Sequence, residues 1–211
     1  MKVGIINLSV AESAAMSLFG NRWQRLRWLG NHCVLTGGVM WIFGYGSLMW
    51  DGWEQNHCCL QRVVGELPGY RRAFNKASIK NWGSKASPGP TLNIEQAEQA
   101  VCCGIAFEFP DEKADSVLAY LRQREGNGFN LKQMSITLRD GKFAKAFIAF
   151  YEGPNKIKVD STTELANLIA LASGSSGSCR EYVRGIYVEL SKLGLTDSVV
   201  TTTWQAVQQL A

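Results

Sequence analysis

From Val101 to Phe109 the chain alternates, with Val101, Cys103, Ile105, Phe107 and Phe109 on one side and the residues between them on the other. A period of two belongs to a strand lying on a core, and it excludes a helix there, where side chains repeat about every 3.6 residues. Short segments of similar character, Val39–Tyr45, Arg62–Glu66, Tyr70–Asn75 and Thr91–Ile94, are separated by Gly, Pro and Asn and read as further strands. Leu131–Arg139 and Phe143–Tyr151 are joined by Asp140-Gly141, a dipeptide suited to the positive backbone angles of a tight hairpin.

Helical pattern enters after Pro110. Asp111 is the expected N-cap of a helix to Gln123 that buries Val117, Leu118 and Leu121, with Gly126 and Gly128 beyond its end. Ser161-Thr162-Thr163-Glu164 has capping-box form and opens a second helix carrying Leu165, Leu168, Ile169 and Ala172. The run Gly174-Ser175-Ser176-Gly177-Ser178 breaks it. A third helix spans Cys179 to Leu193, burying Tyr182, Val183, Ile186, Leu190 and Leu193, with Gly194 at its C′ position, and a short terminal helix covers Thr203–Leu210. Strands first and helices last give an α+β chain, expected to be a small mixed barrel-like sheet with helices packed outside it.

With 211 residues and 46% hydrophobic content the chain suffices for one well-packed domain. No apolar run approaches the roughly 18–20 residues that cross a bilayer, and no secretory signal pattern stands at the front. A cytoplasmic protein without membrane partners is expected. The net charge of +4 is unevenly placed: residues 1–39 hold Lys2, Arg22, Arg25 and Arg27 against Glu12 alone. The rest is close to balanced and offers no broad basic face for nucleic acid.

Within residues 1–39, Met16, Phe19, Trp23, Leu26 and Leu29 fall at helical spacing. Three readings stay open for this segment: an organellar targeting peptide, a dispensable extension such as an upstream start creates, or a docking helix. The extension is preferred, which leaves residues 40–211 as the domain.

Six cysteines do not make a disulfide framework in a chain of this size. Cys58-Cys59 and Cys102-Cys103 are adjacent pairs, and in a strand neighbours point to opposite faces, so even with His57 nearby no metal site is expected. With only His32 and His57 available, a Ser-His-Asp triad is poorly supplied. Cys179, near a helix start, is a weak candidate nucleophile, since no histidine follows it; an inert thiol is the plainer reading.

The more promising segment is Gly44-Tyr45-Gly46-Ser47-Leu48, at the end of an apolar strand, where glycines let the backbone turn and leave amides uncovered. This is the form of an anion or oxyanion nest. Met49 stands where a dinucleotide-binding fingerprint needs its third glycine, and no Gly-Lys-Ser/Thr follows, so nucleotide readings fail.

The stretch Met40-Trp41-Ile42-Phe43-Gly44-Tyr45-Gly46-Ser47-Leu48-Met49-Trp50 resembles the opening of ChaC-type γ-glutamylcyclotransferases. Later segments agree in order: Pro68-Gly69-Tyr70-Arg71-Arg72-Ala73-Phe74, Pro88-Gly89-Pro90-Thr91-Leu92, Arg124-Glu125 with Gly128-Phe129, and Ser176-Gly177 with Arg180-Glu181-Tyr182. The resemblance runs from about Met40 to the C-terminus. It implies a γ-glutamylcyclotransferase-like fold, the cleavage of glutathione to 5-oxoproline and Cys-Gly, and no cofactor. It further implies a glutamyl-binding loop at Gly44, Tyr45, Gly46, Ser47, Leu48 and Met49, and a catalytic glutamate at Glu125. Two departures bear on the substrate: Asn81-Trp82-Gly83 stands where the family commonly has His-Arg-Gly, and Cys179 where it commonly has Asn. Phe129 replaces a tyrosine of the glutamate element.

In that reaction the substrate's own α-amine attacks its γ-carbonyl, so one carboxylate can take the amine's proton and return it to the leaving nitrogen. At Glu125 the nearby helix end favours the protonated form and Arg124 the ionised one. Other γ-glutamyl amino acids or γ-glutamylamines are alternative substrates, and a non-catalytic γ-glutamyl-binding regulator is the alternative outside enzymes. Tyr182 fits a pocket wall by analogy and its helix's buried stripe by spacing, the latter being preferred.

Overall fold

The computed structural model describes residues 37–210. The helical pattern noted among residues 12–30 lies outside the described residues. Five strands close into a barrel in the order β1-β3-β2-β4-β5. They are β1 (Val39–Gly44), β2 (Gln61–Ser78), β3 (Gly89–Pro110), β4 (Phe129–Leu138) and β5 (Phe143–Tyr151). All neighbours are antiparallel except β1 and β5, whose parallel pairing from Trp41↔Ala146 to Phe43↔Ile148 closes the cylinder. So small a barrel has room inside only for side chains. Phe43, Leu67, Ile105, Phe107, Phe109, Ile136 and Ile148 are buried together in the core.

The strands anticipated as Arg62–Glu66 and Tyr70–Asn75 are parts of one strand, β2, and Thr91–Ile94 and Val101–Phe109 are parts of β3. The two pair along a long ribbon with register shifts at Pro68/Tyr70 and Ala73/Lys76. Pro68-Gly69 reads as a break but is a kink, Gly69 taking φ of 78° at the first shift. In the Glu95–Val101 stretch most side chains are exposed or only partly buried, so neither face acquires a continuous apolar pattern. The Asp140-Gly141 turn joins β4 to β5 as expected, with Gly141 at φ 81° and the Asp140 carboxylate accepting from the Lys142 N–H.

Among the described residues four helices pack outside: α1 (Ala114–Glu125), α2 (Thr162–Leu171), α3 (Cys179–Lys192) and α4 (Ser198–Gln208). Asp111 does not cap α1; Asp111–Lys113 form a 3-10 turn ahead of it, and the Asp111 N–H donates to the Gly38 carbonyl at 3.1 Å. The helix runs two residues past Gln123, because Arg124 and Glu125 are good helix formers and the first residue to refuse the helix is Gly126, at φ 74°. At α2 the Ser161 hydroxyl accepts from Glu164 N–H, while Glu164 returns its bond to Asp160 N–H. The complete capping box belongs to α3, between Ser178 and Glu181. Between α2 and α3 the glycine-serine run forms a minute hairpin, β6 (Ser173–Gly174) and β7 (Gly177–Ser178). Helix α4 begins well before Thr203, because the Asp197 carboxylate accepts from Val200 N–H and caps it.

No helix among the described residues is long and apolar enough to cross a membrane.

Candidate active site

A cavity of about 380 Å³ is lined by the loop after β1, the end of α1, the hairpin end of the β2–β3 ribbon and the start of α3. That volume falls in the range of small-molecule sites, about 300–1,000 Å³. Tyr45, Gly46, Ser47 and Leu48 line it, as do Arg124 and Glu125. Gly44 and Met49 do not: Gly44 is the last residue of β1, packed against Phe107 and Leu48, and Met49 is turned inward, 1% exposed.

After Gly46 the chain makes a single 3-10 turn, Ser47–Met49. Its hydrogen bonds run from Met49 N–H to Gly46 O (3.0 Å) and from Trp50 N–H to Ser47 O (3.1 Å). Such a turn leaves its first N–H groups, those of Ser47 and Leu48, without intrahelical partners, and no side chain caps them. Gly46 has the Tyr182 hydroxyl so close that a Cβ there would stand 3.3 Å from it.

Behind this loop stands Arg72, 1% exposed at the centre of the ribbon. Its Nε donates to Tyr45 O at 2.9 Å, one Nη to Cys103 O at 2.6 Å, and the other to the Asp197 carboxylate at 2.8 Å. A buried guanidinium with its donors so distributed fixes the loop's backbone relative to β3 and to the cap of α4.

Glu125 ends α1 with its side chain 19% exposed at the cavity and otherwise enclosed. Burial raises its pKa above the ordinary glutamate value; Arg124 and Lys76 pull it down, but not enough to reverse the shift. Of the helix end and Arg124, the two effects weighed from sequence at this residue, Arg124 acts as expected, but desolvation, which was not weighed there, outweighs it. Arg124 is itself heavily engaged: its guanidinium pairs with Asp51, donates to Ser47 Oγ at 3.1 Å and Tyr120 Oη at 3.3 Å, and lies 3.4 Å from Glu125. Burial works against its charge, but Asp51, Tyr120 and Glu125 together hold the guanidinium above its usual pKa. One arginine thereby ties the glycine loop to the glutamate.

The fold that assembles these positions is shared with known proteins. The sequence profile of ChaC-like proteins matches residues 40–210. The chain belongs to the ChaC-like protein family. It is 33% identical over 184 residues to a glutathione-specific γ-glutamylcyclotransferase of Escherichia coli K12, covering 84% of this chain and 77% of that one. It is 30% identical over 185 residues to γ-glutamylcyclotransferase 2-3 of Arabidopsis thaliana, covering 82% and 90%. The crystal structure of a yeast γ-glutamyl cyclotransferase specific to glutathione superposes with a TM-score of 0.72 at 21% identity, over 82% of this chain and 97% of that one, which shows a shared fold.

The two departures of this ChaC-like chain that bear on the substrate are adjacent in space, both packed against Gly89. Trp82 lines the cavity, its ring centroid 5.3 Å from Tyr182 and 6.2 Å from Trp50, so three aromatics build one wall. Cys179 lies behind that wall, fully buried, its thiol donating to Pro90 O at 3.1 Å and pushed by burial up to about 12. A thiol held protonated and out of the cavity is not a nucleophile. Tyr182 is both of the things its sequence allowed: 4% exposed within the core, and lining the cavity, its Oη accepting from Leu92 N–H at 3.1 Å.

Sequence reasoning passed over Lys76 and Asp51, which also line the cavity, as do Asn81 and Thr91 from the segments that carried or broke the resemblance. Asp51 was within reach, standing four residues past Ser47, but nothing in the pattern paired it with Arg124. Lys76 sits in a strand where a lone lysine reads as solvent-facing, and only the register shift beside it turns it toward the cavity. His57 packs against Trp53 and Tyr120, and no group of His, Cys, Asp and Glu among the described residues is arranged to hold a metal ion.

Proposed function

We propose that this chain is a γ-glutamylcyclotransferase that converts glutathione to 5-oxoproline and Cys-Gly, with Glu125 as its general base and acid. The observation that carries the reading is the position of Glu125: a carboxylate with a raised pKa, lining a small cavity opposite uncapped backbone amides. The Escherichia coli relative, named for this activity on glutathione, and the Arabidopsis relative, named a γ-glutamylcyclotransferase, support it.

The chemistry asks little more of the protein. An α-amine of pKa about 8 is largely protonated at neutral pH and cannot attack, so Glu125 first takes a proton from it. The freed nitrogen attacks the γ-carbonyl carbon of the same molecule and closes a five-membered ring. Tethered attack of this kind has effective molarities of about 10⁵–10⁸ M when the reacting atoms are well oriented. The carbonyl oxygen becomes an oxyanion, for which the Ser47 and Leu48 amides are the donors at hand. The bond to the leaving nitrogen then breaks as Glu125 returns the proton to it, and the second proton that the ring nitrogen sheds on becoming a lactam N–H passes to the freed amine, which leaves as an ammonium. A raised pKa suits both halves of this cycle, bringing the carboxylate closer to the amine whose proton it must hold and release.

The loop residues Tyr45 to Leu48 hold the glutamyl unit, and Arg124 keeps loop and base at a fixed separation. Trp50, Trp82 and Tyr182 form the wall available to the leaving portion. The test is release of 5-oxoproline by purified protein from glutathione, compared with γ-glutamyl amino acids and γ-glutamylamines. Release from none of them would overturn the reading in favour of a binding protein; release from the others but not from glutathione would reassign the substrate.

A further inference from the structure

Two cations line the cavity, and they differ in what holds them. Arg124 is committed to Asp51, Ser47, Tyr120 and Glu125. Lys76 belongs to none of the ion pairs formed among the described residues. Its ammonium lies 5.2 Å from the ring centre of Phe129 and 5.5 Å from that of Tyr151. Rings stabilise a cation weakly and satisfy none of its N–H donors in full. Its residue is partly buried, and burial lowers its pKa, an effect that the Glu125 charge opposes. An ammonium taken part-way out of water without an acidic partner is unfavourable unless an anion joins it.

The substrate class proposed above brings that anion. In a γ-glutamyl compound the α-ammonium and the α-carboxylate share one carbon, so the two charges reach the protein side by side. The cavity offers a matching pair, an acid at Glu125 and an unengaged cation at Lys76, near enough to shift each other's protonation. We infer that Lys76 binds the α-carboxylate of the substrate while Glu125 receives the α-ammonium, which leaves the Ser47 and Leu48 amides to the γ-carbonyl oxygen. This assignment rests on the γ-glutamylcyclotransferase reading and makes Lys76 the residue that distinguishes a γ-glutamyl group from a 4-aminobutanoyl group, the same acyl chain without its carboxylate. The latter cyclises by the same step: its amine nitrogen bonds to the carbonyl carbon, the amide bond to the leaving nitrogen breaks, and two protons pass from the ammonium to that nitrogen, which leaves as an ammonium, giving 2-pyrrolidinone.

The experiment compares wild type, Lys76→Met and Lys76→Arg on matched γ-glutamyl and 4-aminobutanoyl amides. Met keeps the apolar stem against Phe129 and Tyr151, and circular dichroism checks folding. Hydrogen bonds to charged groups predict that the ratio of kcat/KM for the γ-glutamyl over the 4-aminobutanoyl amide falls about 10–100-fold in Lys76→Met, and that Lys76→Arg recovers part of it. A second arm needs no turnover: calorimetric titration of wild type and Lys76→Met with 5-oxoproline and with 2-pyrrolidinone, where the preference for the carboxylate-bearing ring should vanish in the variant. A folded Lys76→Met that keeps the wild-type ratio and the wild-type binding preference overturns the assignment of Lys76. Wild type that releases 5-oxoproline from no γ-glutamyl compound overturns the reaction itself, and the titration then still reads whether the cavity takes a carboxylate at Lys76.

Discussion

The enclosure that fits Glu125 to exchange protons also makes its ionised form unfavourable in the folded state. Glu125→Gln keeps the size of the side chain but cannot accept a proton, so kcat should fall about 10²–10⁴-fold, with the larger loss expected because one group serves both transfers. A folded variant keeping a tenth of wild-type kcat would remove Glu125 from that role. In wild type the acid limb of kcat/KM should lie at higher pH than an exposed carboxylate would give, since protonating Glu125 removes the base and its pKa is raised. The stability of the fold moves the other way. A carboxyl whose folded pKa exceeds its unfolded value stabilises most below the unfolded value, near 4.5, and that contribution is lost as pH rises through the folded one. The Gln variant lacks this loss, so its melting temperature relative to wild type should climb across that window and level off above it. Melting curves from pH 4 upward check this, and a wild-type advantage that grows with pH would contradict the desolvated carboxylate.

Between elements, the decisive connection is Arg72, which joins the loop after β1 to β3 and to the cap of α4. Arg72→Met should cost about 3–5 kcal/mol in denaturant unfolding, because it strands the Asp197 carboxylate and leaves buried carbonyls of Tyr45 and Cys103 without donors. Asp197→Asn should cost less, since the amide oxygen still caps Val200 and only the arginine's bond to the second oxygen is lost, while its bonds to the two carbonyls remain; equal losses would mean that the carbonyl bonds contribute little. This link was invisible in the sequence, where Arg72 is one member of a Tyr-Arg-Arg run with no sign of which arginine turns inward. What was legible had local causes: the Asp140-Gly141 hairpin, the alternation in β3 where it lies on the barrel, and the glycine loop before Ser47. What was not legible depended on distant partners. β2 and β3 read as four strands because part of their ribbon has no buried face to impose a pattern, and Lys76 read as a surface lysine because a register shift, not composition, aims it.

At the scale of the whole molecule, residues Gly37–Ala211 form one compact unit by their own contacts, and the ChaC-like match begins at Met40. The barrel's closure depends on β1, whose central residues pair with β3 on one side and β5 on the other. The outermost contributions come from Val39, opposite Pro110 and 41% exposed, and from the Gly38 carbonyl, which accepts from Asp111 N–H. We therefore expect a chain begun at Gly37 to fold and to keep the turnover of the full chain, because the described residues alone form a compact unit that assembles the cavity. A chain begun at Met40 should also be active but less stable, since it loses the Val39 pairing and the acceptor for the lead-in to α1. At about 0.5–1.5 kcal/mol for each net hydrogen bond, that difference is small beside the 5–15 kcal/mol by which a typical domain is stable. Comparing 5-oxoproline release and urea midpoints of the three chains separates the outcomes. Equal turnover with a lower midpoint only for the Met40 chain is the expected result. An insoluble Gly37 chain beside a soluble full-length protein would show that residues 1–36 are part of the folded domain, and would return them from extension to structural element.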